Sequence, residues 1–198
     1  MSTPNPKRQE LLLLARDLIS QDGLANFSLR GLARAKGIKA PSLYEYFRSV
    51  DEILVELRQA EENAFAATLK AATSPELDST TNITQMLQAY VHFFEGRPDR
   101  FEIMFEASKT KCESFDMEIE TGSSFRLLQD EMTRLARDLD RPVDEASKWA
   151  FAAWAYVHGV CVLRSSFLAE LGDALPPLIT SGLELFIKGI IAEAQQSS

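Results

Sequence analysis

The sequence predicts an all-α protein of about nine helices, with a small N-terminal domain and a larger C-terminal domain. Apolar residues recur at helical spacing through most of the 198 residues, and 45% of the residues are hydrophobic. There are only nine glycines and eight prolines, so few positions interrupt a helix. We expect a boundary near residue 50, giving domains 1–50 and 51–198, with a helix over 49–72 linking them.

The first predicted helix opens at Asn5 and Pro6, a capping residue followed by a proline whose missing N–H costs nothing in the first turn. Gly23 ends this helix. Lys7 and Arg8 then lie at the positive end of the helix dipole, where a cation is unfavourable unless an anion is near. Two interpretations stay open: a nearby phosphate neutralises them, or they belong to a solvated, fraying terminus.

The stretch from Ser28 to Arg48, SLRGLARAKGIKAPSLYEYFR, is typical of two short helices joined by a glycine turn. The Ser28 hydroxyl can cap the first helix, and Gly37 supplies the left-handed backbone that a tight turn needs. The second helix is predicted from Pro41 to about Tyr46.

This second helix has an inner and an outer side. Leu43 and Phe47 are four residues apart and are predicted to pack inward, which leaves Tyr44 and Tyr46 outside. Tyrosine hydroxyls can donate to phosphate oxygens, and small side chains can approach base edges in a major groove. An ordinary helical hairpin with half-buried tyrosines is the alternative. The candidate DNA-contacting residues are Ser28, Arg30, Lys39, Ala40, Pro41, Ser42, Tyr44, Glu45, Tyr46 and Arg48.

The charge distribution supports contact with nucleic acid at the N-terminal end only. The whole chain has a net charge of −8. Residues 1–50 contain eight basic and four acidic residues, a balance of +4, whereas the remainder contains 13 basic and 25 acidic residues, a balance of −12. Such a split fits a basic DNA-reading domain on an acidic body.

The linking helix is predicted to begin at a capping box formed by Ser49 and Glu52 and to continue to about Ala72. Because it starts beside the second short helix and ends in the C-terminal domain, we expect it to transmit changes between them. The remaining helices are predicted at about 83–94, from Pro98 to around Phe105, and at 124–139, 144–171 and 174–194, with a polar connector at 74–82 and a loop at 106–123.

No metal, cofactor or membrane partner is expected. Cys112 and Cys161 lack the paired spacing of a zinc site, and the chain has only two histidines. The longest apolar run, Trp149 to Leu163, falls short of the roughly 20 residues that span a membrane. The LLLLA segment at 11–15 is too short for a signal peptide, so we expect a cytoplasmic protein.

From Arg8 to about Leu57 the chain closely resembles the tetracycline-repressor (TetR) family of bacterial transcriptional regulators. The resemblance rests on DGLANFS at the end of the first helix, LRGLARAKGIKAPSLYEYF across the helix pair, and SVDEIL at the start of the linking helix. The family usually has a lysine just after the position of Ser49, where it reaches a phosphate, and this chain has Val50. The departure weakens one expected backbone contact, for which Arg48 is the candidate substitute.

The resemblance implies a dimer in which helices eight and nine of two subunits form a four-helix bundle. It also implies a near-palindromic double-stranded DNA operator, repression of transcription and release by a small apolar effector. A stripe on helix nine carries the candidate interface, and packing of this stripe within one subunit is the alternative. The candidate interface residues are Leu175, Leu178, Gly182, Phe186 and Gly189.

An effector pocket is then expected inside helices four to eight. AAWAYVHGV resembles a Trp…His-Gly signature in the sensing half of one TetR subgroup, so His158 could orient a ligand. A satisfied core histidine, and plain core packing for the aromatic residues, are the alternatives. The candidates are Phe65, Tyr90, Phe94, Met104, Phe105, Phe125, Met132, Trp154, His158 and Cys161.

Two other classes of function stay open at this stage. One is an all-helical enzyme that uses His158 with a nearby carboxylate, although no Ser/His/Asp order, metal spacing or phosphate-binding glycine loop supports it. The other is a ligand-binding or partner-binding protein that has lost DNA recognition. We expect no enzymatic activity.

Overall fold

The structure, a computed structural model, describes residues 5–106, 122–164 and 175–196. In these ranges the chain forms nine α-helices and no strand, which confirms the all-α prediction. The predictions for Cys112, for most of the 106–123 loop and for helix eight beyond Arg164 lie outside the described residues. The helices are α1 (Pro6–Asp22), α2 (Leu29–Lys36), α3 (Ala40–Leu43), α4 (Val50–Ala71), α5 (Ser79–Phe94), α6 (Pro98–Phe101), α7 (Gly122–Asp138), α8 (Val143–Arg164) and α9 (Leu175–Gln196).

The chain divides into two compact units. The N-terminal unit runs up to Asn63 and includes the segment that begins at Gly96. The C-terminal unit contains Ala64–Glu95 and the helices from α7 onward. Helix α4 therefore contributes its first part to one unit and its last part to the other, and α6 belongs to the N-terminal unit. The predicted boundary at residue 50 stays a prediction.

The N-terminal unit, called the head below, encloses one apolar core. Helix α1 packs on α2 and α6, and α2 packs on α3. Because α3 is a single turn, it cannot be stable alone and depends on this packing. The core residues are Leu11, Ala15, Ile19, Leu32, Ala33, Leu43, Phe47, Ile53, Leu57 and Ile103.

Local capping explains where the helices of the head begin. The N–H of Lys7 donates to Oδ1 of Asn5 at 3.1 Å, which confirms the predicted cap of α1. The N–H of Glu52 donates to Oγ of Ser49 at 3.1 Å at the start of α4. The Glu52 carboxylate accepts from the backbone N–H of Arg48 at 2.7 Å, so the cap reaches one residue further back than the predicted capping box.

Two elements of the head differ from the prediction. Helix α3 covers Ala40–Leu43 and not the predicted stretch to Tyr46, because the chain turns directly after Leu43. The sixth helix was predicted as one piece, but α6 ends at Phe101 and a π-helical turn follows at Glu102–Glu106.

The C-terminal unit, called the body below, is built on α7 packed against α8, with α5 against both and α9 against α5 and α8. An aromatic cluster lies in its core, where the ring of Phe65 meets the ring of Tyr90 edge to face at 4.9 Å. The fully buried Asn82 of α5 donates to the Ser74 carbonyl at 2.8 Å and so holds the connector between α4 and α5. Within the described ranges, no helix has the length and apolar character needed to cross a membrane.

Candidate nucleic-acid interface and effector cavity

The helix pair predicted at 28–48 is a helix-turn-helix made of α2, the turn at Gly37 and α3. The Gly31 N–H donates to Oγ of Ser28 at 3.1 Å, which confirms the predicted cap of α2. Gly37 has φ of 72°, a left-handed conformation that strains residues with a Cβ. Its N–H donates to the carbonyls of Ala33 and Arg34 and closes α2.

The candidate DNA-contacting residues lie at the start of α2, on α3 and on the turn that leads to α4. Tyr44 is 56% exposed, as predicted for the outer side. Tyr46 was predicted to lie outside but is half-buried against the head core, because α3 stops before this residue and the turn brings it inward. Ala40 and Ser42 are also half-buried. The exposed candidates are Ser28, Arg30, Lys39, Pro41, Tyr44, Glu45 and Arg48.

The basic residues of the head fall into two groups. In the first group a carboxylate is already in place: Lys36 pairs with Glu10, and Arg16 lies 3.9 Å from the buried Glu61. The second group consists of exposed cations that form no ion pair with any residue in the described parts of the chain. This group contains the candidate DNA contacts Arg30, Lys39 and Arg48, and also Lys7 and Arg34. Exposed cations without a protein partner are suited to phosphate oxygens.

Arg8 belongs to the first group and makes the densest set of contacts in the head. Its guanidinium donates to the Glu52 carboxylate at 2.8 Å, to the Glu56 carboxylate and to the backbone carbonyl of Tyr46. The guanidinium carbon also lies 4.2 Å from the centroid of the Phe47 ring. Two carboxylates on α4 therefore resolve the conflict of Arg8 with the α1 dipole, and no phosphate is needed for this. Sequence reasoning missed this role, although it noted both Arg8 and Glu52.

A polar cleft of about 270 Å³ opens beside this cluster, between the turn after α3 and the first turn of α4. It brings the candidate contacts Tyr44, Glu45, Tyr46 and Arg48 together with Arg8 and Glu52. The Arg48 backbone N–H and the Arg8 guanidinium hold the pKa of Glu52 below its ordinary value, so this carboxylate is ionised at neutral pH.

The body contains a small apolar cavity of about 10 Å³, which is room for about one water molecule. Four of the predicted ligand residues line it: Phe65, Tyr90, Phe125 and Trp154. The lining residues that sequence reasoning missed are Leu69, Met86, Leu87, Ser124 and Leu128. Their only sequence signal was a helical spacing that ordinary core residues share.

A hydrogen-bonded pair adjoins this cavity. Oη of Tyr90 and Nδ1 of His158 lie 3.1 Å apart, and Tyr90 is 2% exposed. The ring of Trp154 lies 4.8 Å from that of His158, one helical turn away on α8, as their spacing predicted. Burial lowers the pKa of His158, so its imidazole is neutral at pH 7.

The other predicted ligand residues lie elsewhere. Phe94 and Cys161 are buried in the body, and Phe94 contacts the Tyr90 ring at 5.4 Å. Burial raises the pKa of the Cys161 thiol to about 12, which makes it a poor nucleophile. Met104 and Phe105 belong to the head, on the π-helical turn. Met132 is fully buried on α7.

Helices α8 and α9 expose an apolar surface. Among the described residues nine large hydrophobic side chains are exposed, and six of them lie on these two helices. Two thirds of the exposed large apolar side chains among the described residues therefore lie on these two helices. The six are Val143, Phe151, Val162, Leu163, Leu178 and Leu185.

The predicted interface stripe on α9 lies partly on this surface. Leu178 is 59% exposed, and a Cβ added at Gly189 meets nothing within 4 Å. A Cβ added at Gly182 would overlap Oη of Tyr156, whose ring stacks on Phe186 at 6.5 Å. Tyr156 of the same chain therefore explains the close approach at Gly182. This agrees with the alternative hypothesis, in which the stripe packs within one subunit. Leu175 begins α9.

Two family models match the chain. The model described as "Bacterial regulatory proteins, tetR family" matches residues 11–57, and the model described as "Tetracyclin repressor-like, C-terminal domain" matches residues 83–174. Together they cover more than two thirds of the sequence. The chain belongs to the TetR family. All ten candidate DNA-contacting residues of this TetR-family chain fall inside the first match.

Solved structures share the fold of this TetR-family chain over nearly its full length. A protein with unknown function from Rhodococcus sp. RHA1 is 24% identical, with a TM-score of 0.79 over 94% of this chain and 96% of its own. A TetR variant from Acinetobacter baumannii AYE in complex with minocycline is 16% identical, with a TM-score of 0.66 over 97% of this chain and 99% of its own. BioQ with its double-stranded DNA operator is 18% identical, with a TM-score of 0.60 over 93% of this chain and 98% of its own. No curated protein sequence matches the chain significantly.

Proposed function

We propose that this TetR-family chain is a ligand-responsive transcriptional regulator. In this proposal a cytoplasmic dimer binds a palindromic operator, represses transcription, and is released when a small apolar effector binds the body. The observation that carries the proposal is the exposed Tyr44 beside a helix-turn-helix whose Arg30, Lys39 and Arg48 side chains form no ion pair in the described residues. The structural likeness to BioQ, which was solved with its operator, supports the DNA-binding part.

The residues of the head divide by role. The exposed cations and the Tyr44 hydroxyl contact phosphate oxygens, which fixes the register of the head without reading sequence. Ala40 and Ser42 have small side chains and lie on α3, so they approach base edges in the major groove. Arg48 supplies the phosphate contact that Val50 cannot make.

The DNA-binding proposal is tested by selecting duplexes from a random pool and measuring affinity across salt concentrations. We expect a near-palindromic duplex and an affinity that falls steeply with salt. Tyr44→Phe should weaken binding to every duplex by about tenfold, because one hydrogen bond to a charged group is lost. Ser42→Ala should instead change which bases are preferred. Fluorescence anisotropy reads both, and equal effects of the two variants on all duplexes would contradict these roles.

The effector site is proposed at the apolar cavity of the body. No charged residue among those that the structure describes lines the cavity, so a charged molecule entering it would lose its hydration without compensation. Tyr90 and the adjoining His158 offer one polar anchor in an apolar lining. The likeness to a TetR variant solved with minocycline supports small-molecule binding by a body of this shape.

Helix α4 is the proposed route from effector to DNA. Phe65 and Leu69, on its last turns, line the cavity, whereas Ile53 and Leu57, on its first turns, belong to the head core. Any molecule larger than water must enlarge the cavity and so displace some of its lining. An effector shifts the DNA-binding equilibrium only by its difference in affinity for the two states of the protein.

Three small probes of similar size test the chemistry of the cavity. Phenol should bind about threefold to tenfold more tightly than toluene, because its hydroxyl can hydrogen-bond to Tyr90, and benzoate should bind least. Tyr90→Phe should remove the preference for phenol. Tyr156→Phe, a tyrosine that packs on Gly182, is the matched control and should keep it. Ligand-detected NMR measures the affinities of the three probes. Tight binding of benzoate would refute a site for neutral molecules.

A further inference from the structure

Arg8 connects three parts of the head that are far apart in sequence. It lies in the first turn of α1, and its partners are the Tyr46 carbonyl on the turn after α3 and the Glu52 and Glu56 carboxylates on α4. The two carboxylates are four residues apart and so occupy the same face of α4. A single guanidinium therefore ties the turn after α3 to the beginning of the linking helix α4.

We propose that Arg8 is a positioning residue for DNA recognition, which orients α3 relative to α4 and contacts no phosphate itself. This inference rests on the proposed function, since it assigns a role within DNA binding. A phosphate contact for Arg8 is the competing assignment, because Arg8 is basic and lies at the N-terminal end of a helix.

The contacts of Arg8 favour positioning. The carboxylates of Glu52 and Glu56 neutralise its charge, and the Phe47 ring covers one face of the guanidinium at 4.2 Å. Hydrogen bonding to Glu56 raises the pKa of Arg8 above its ordinary value, so the cation persists at every relevant pH. The contacts also need the planar fork of arginine, because one group donates to two carboxylates and a carbonyl at once.

The same network reaches the cap of α4. Glu52 accepts from Arg8 and also from the backbone N–H of Arg48 at 2.7 Å. A displacement of the first turns of α4 therefore moves the anchor of the Tyr46 carbonyl and the Arg48 backbone together. Tyr46 and Arg48 both lie between α3 and α4, so the orientation of α3 follows α4.

Salt dependence separates positioning from phosphate contact. Arg8→Met keeps an apolar chain on the Phe47 ring and removes the charge. We expect it to weaken binding to the selected palindrome by about tenfold while leaving the salt slope unchanged. Arg48→Met is the matched control, and it should make the slope shallower by about two for a dimer, one phosphate per subunit. A slope for Arg8→Met as shallow as that of Arg48→Met would overturn the proposal.

Glu56→Gln separates positioning from simple electrostatics. It removes a negative charge from the head, so charge alone predicts tighter binding to all DNA. Loss of an Arg8 anchor predicts instead that the affinity ratio between the selected palindrome and a scrambled duplex falls at least threefold. Arg8→Lys keeps the charge without the fork and should not restore the ratio lost in Arg8→Met. A wild-type ratio in either Glu56→Gln or Arg8→Lys would refute the role of the fork.

Hydrogen exchange of the free protein gives a readout that needs no DNA. The amides of Tyr46 and Phe47 both donate to the Leu43 carbonyl, at 2.9 and 3.0 Å. They should exchange faster in Arg8→Met, whereas the Gly37 amide should keep its wild-type rate and report an intact α2. If no duplex is selected from the random pool, the proposed function fails, and this exchange result still decides whether Arg8 holds the turn. Unchanged exchange at Tyr46 and Phe47 would overturn the positioning role.

Discussion

Leu43→Ala is expected to open the head and to abolish operator binding. Leu43 is 1% exposed in the head core, and truncating a buried leucine typically costs about 2–5 kcal/mol of unfolding free energy. The effect on operator binding should be larger than this loss of unfolding free energy suggests. Helix α3 has only four residues and cannot keep its shape without tertiary packing. Amide hydrogen exchange in α2 and anisotropy on the selected duplex measure the two consequences.

Leu13→Ala is the matched control for this prediction. The substitution is chemically the same and falls in the same unit, but Leu13 is 54% exposed on α1. Surface truncations of this kind usually change stability by less than about 0.5 kcal/mol. If the α2 amides were equally protected from exchange in both variants, the packing of Leu43 would not be what positions α3.

Local chemistry explains which features of the head could be predicted. Caps and turns depend on residues within three or four positions, so Asn5, Ser28 and Gly37 could be assigned from the sequence and are found in those roles. The burial of Tyr46 could not be predicted from the sequence. Tyr46 was placed on the outer side of a helix, but α3 ends at Leu43. Helical periodicity places side chains only where the helix persists.

Long-range contacts account for most of what the sequence could not show. The carboxylate partners of Arg8 are 44 and 48 residues away along the chain, and no local pattern pairs them. The same holds for the cavity, whose lining comes from four helices and whose volume of about 10 Å³ depends on side-chain packing. The close approach of Tyr156 to Gly182 likewise follows from the packing of α8 on α9.

The proposed dimer surface makes the second prediction of large effect. We propose that α8 and α9 of two subunits pair through their exposed apolar side chains. Leu185 is 68% exposed in the single chain, so Leu185→Lys should leave the folded subunit intact. In a two-fold dimer each substitution is present twice, and burying an unpaired ammonium group costs several kcal/mol. We expect the dimer dissociation constant to rise at least 100-fold.

Val55→Lys is the matched control for the dimer prediction, because Val55 is 67% exposed on α4 and the change adds the same charge. It should sediment as a dimer at micromolar concentration, whereas Leu185→Lys should sediment as a monomer with unchanged helicity. Operator binding should fall with the dimer, since one head makes only half of the contacts. A monomeric variant should bind the palindrome no more tightly than an isolated half-site. A Leu185→Lys variant that stayed dimeric would place the subunit contact on another surface.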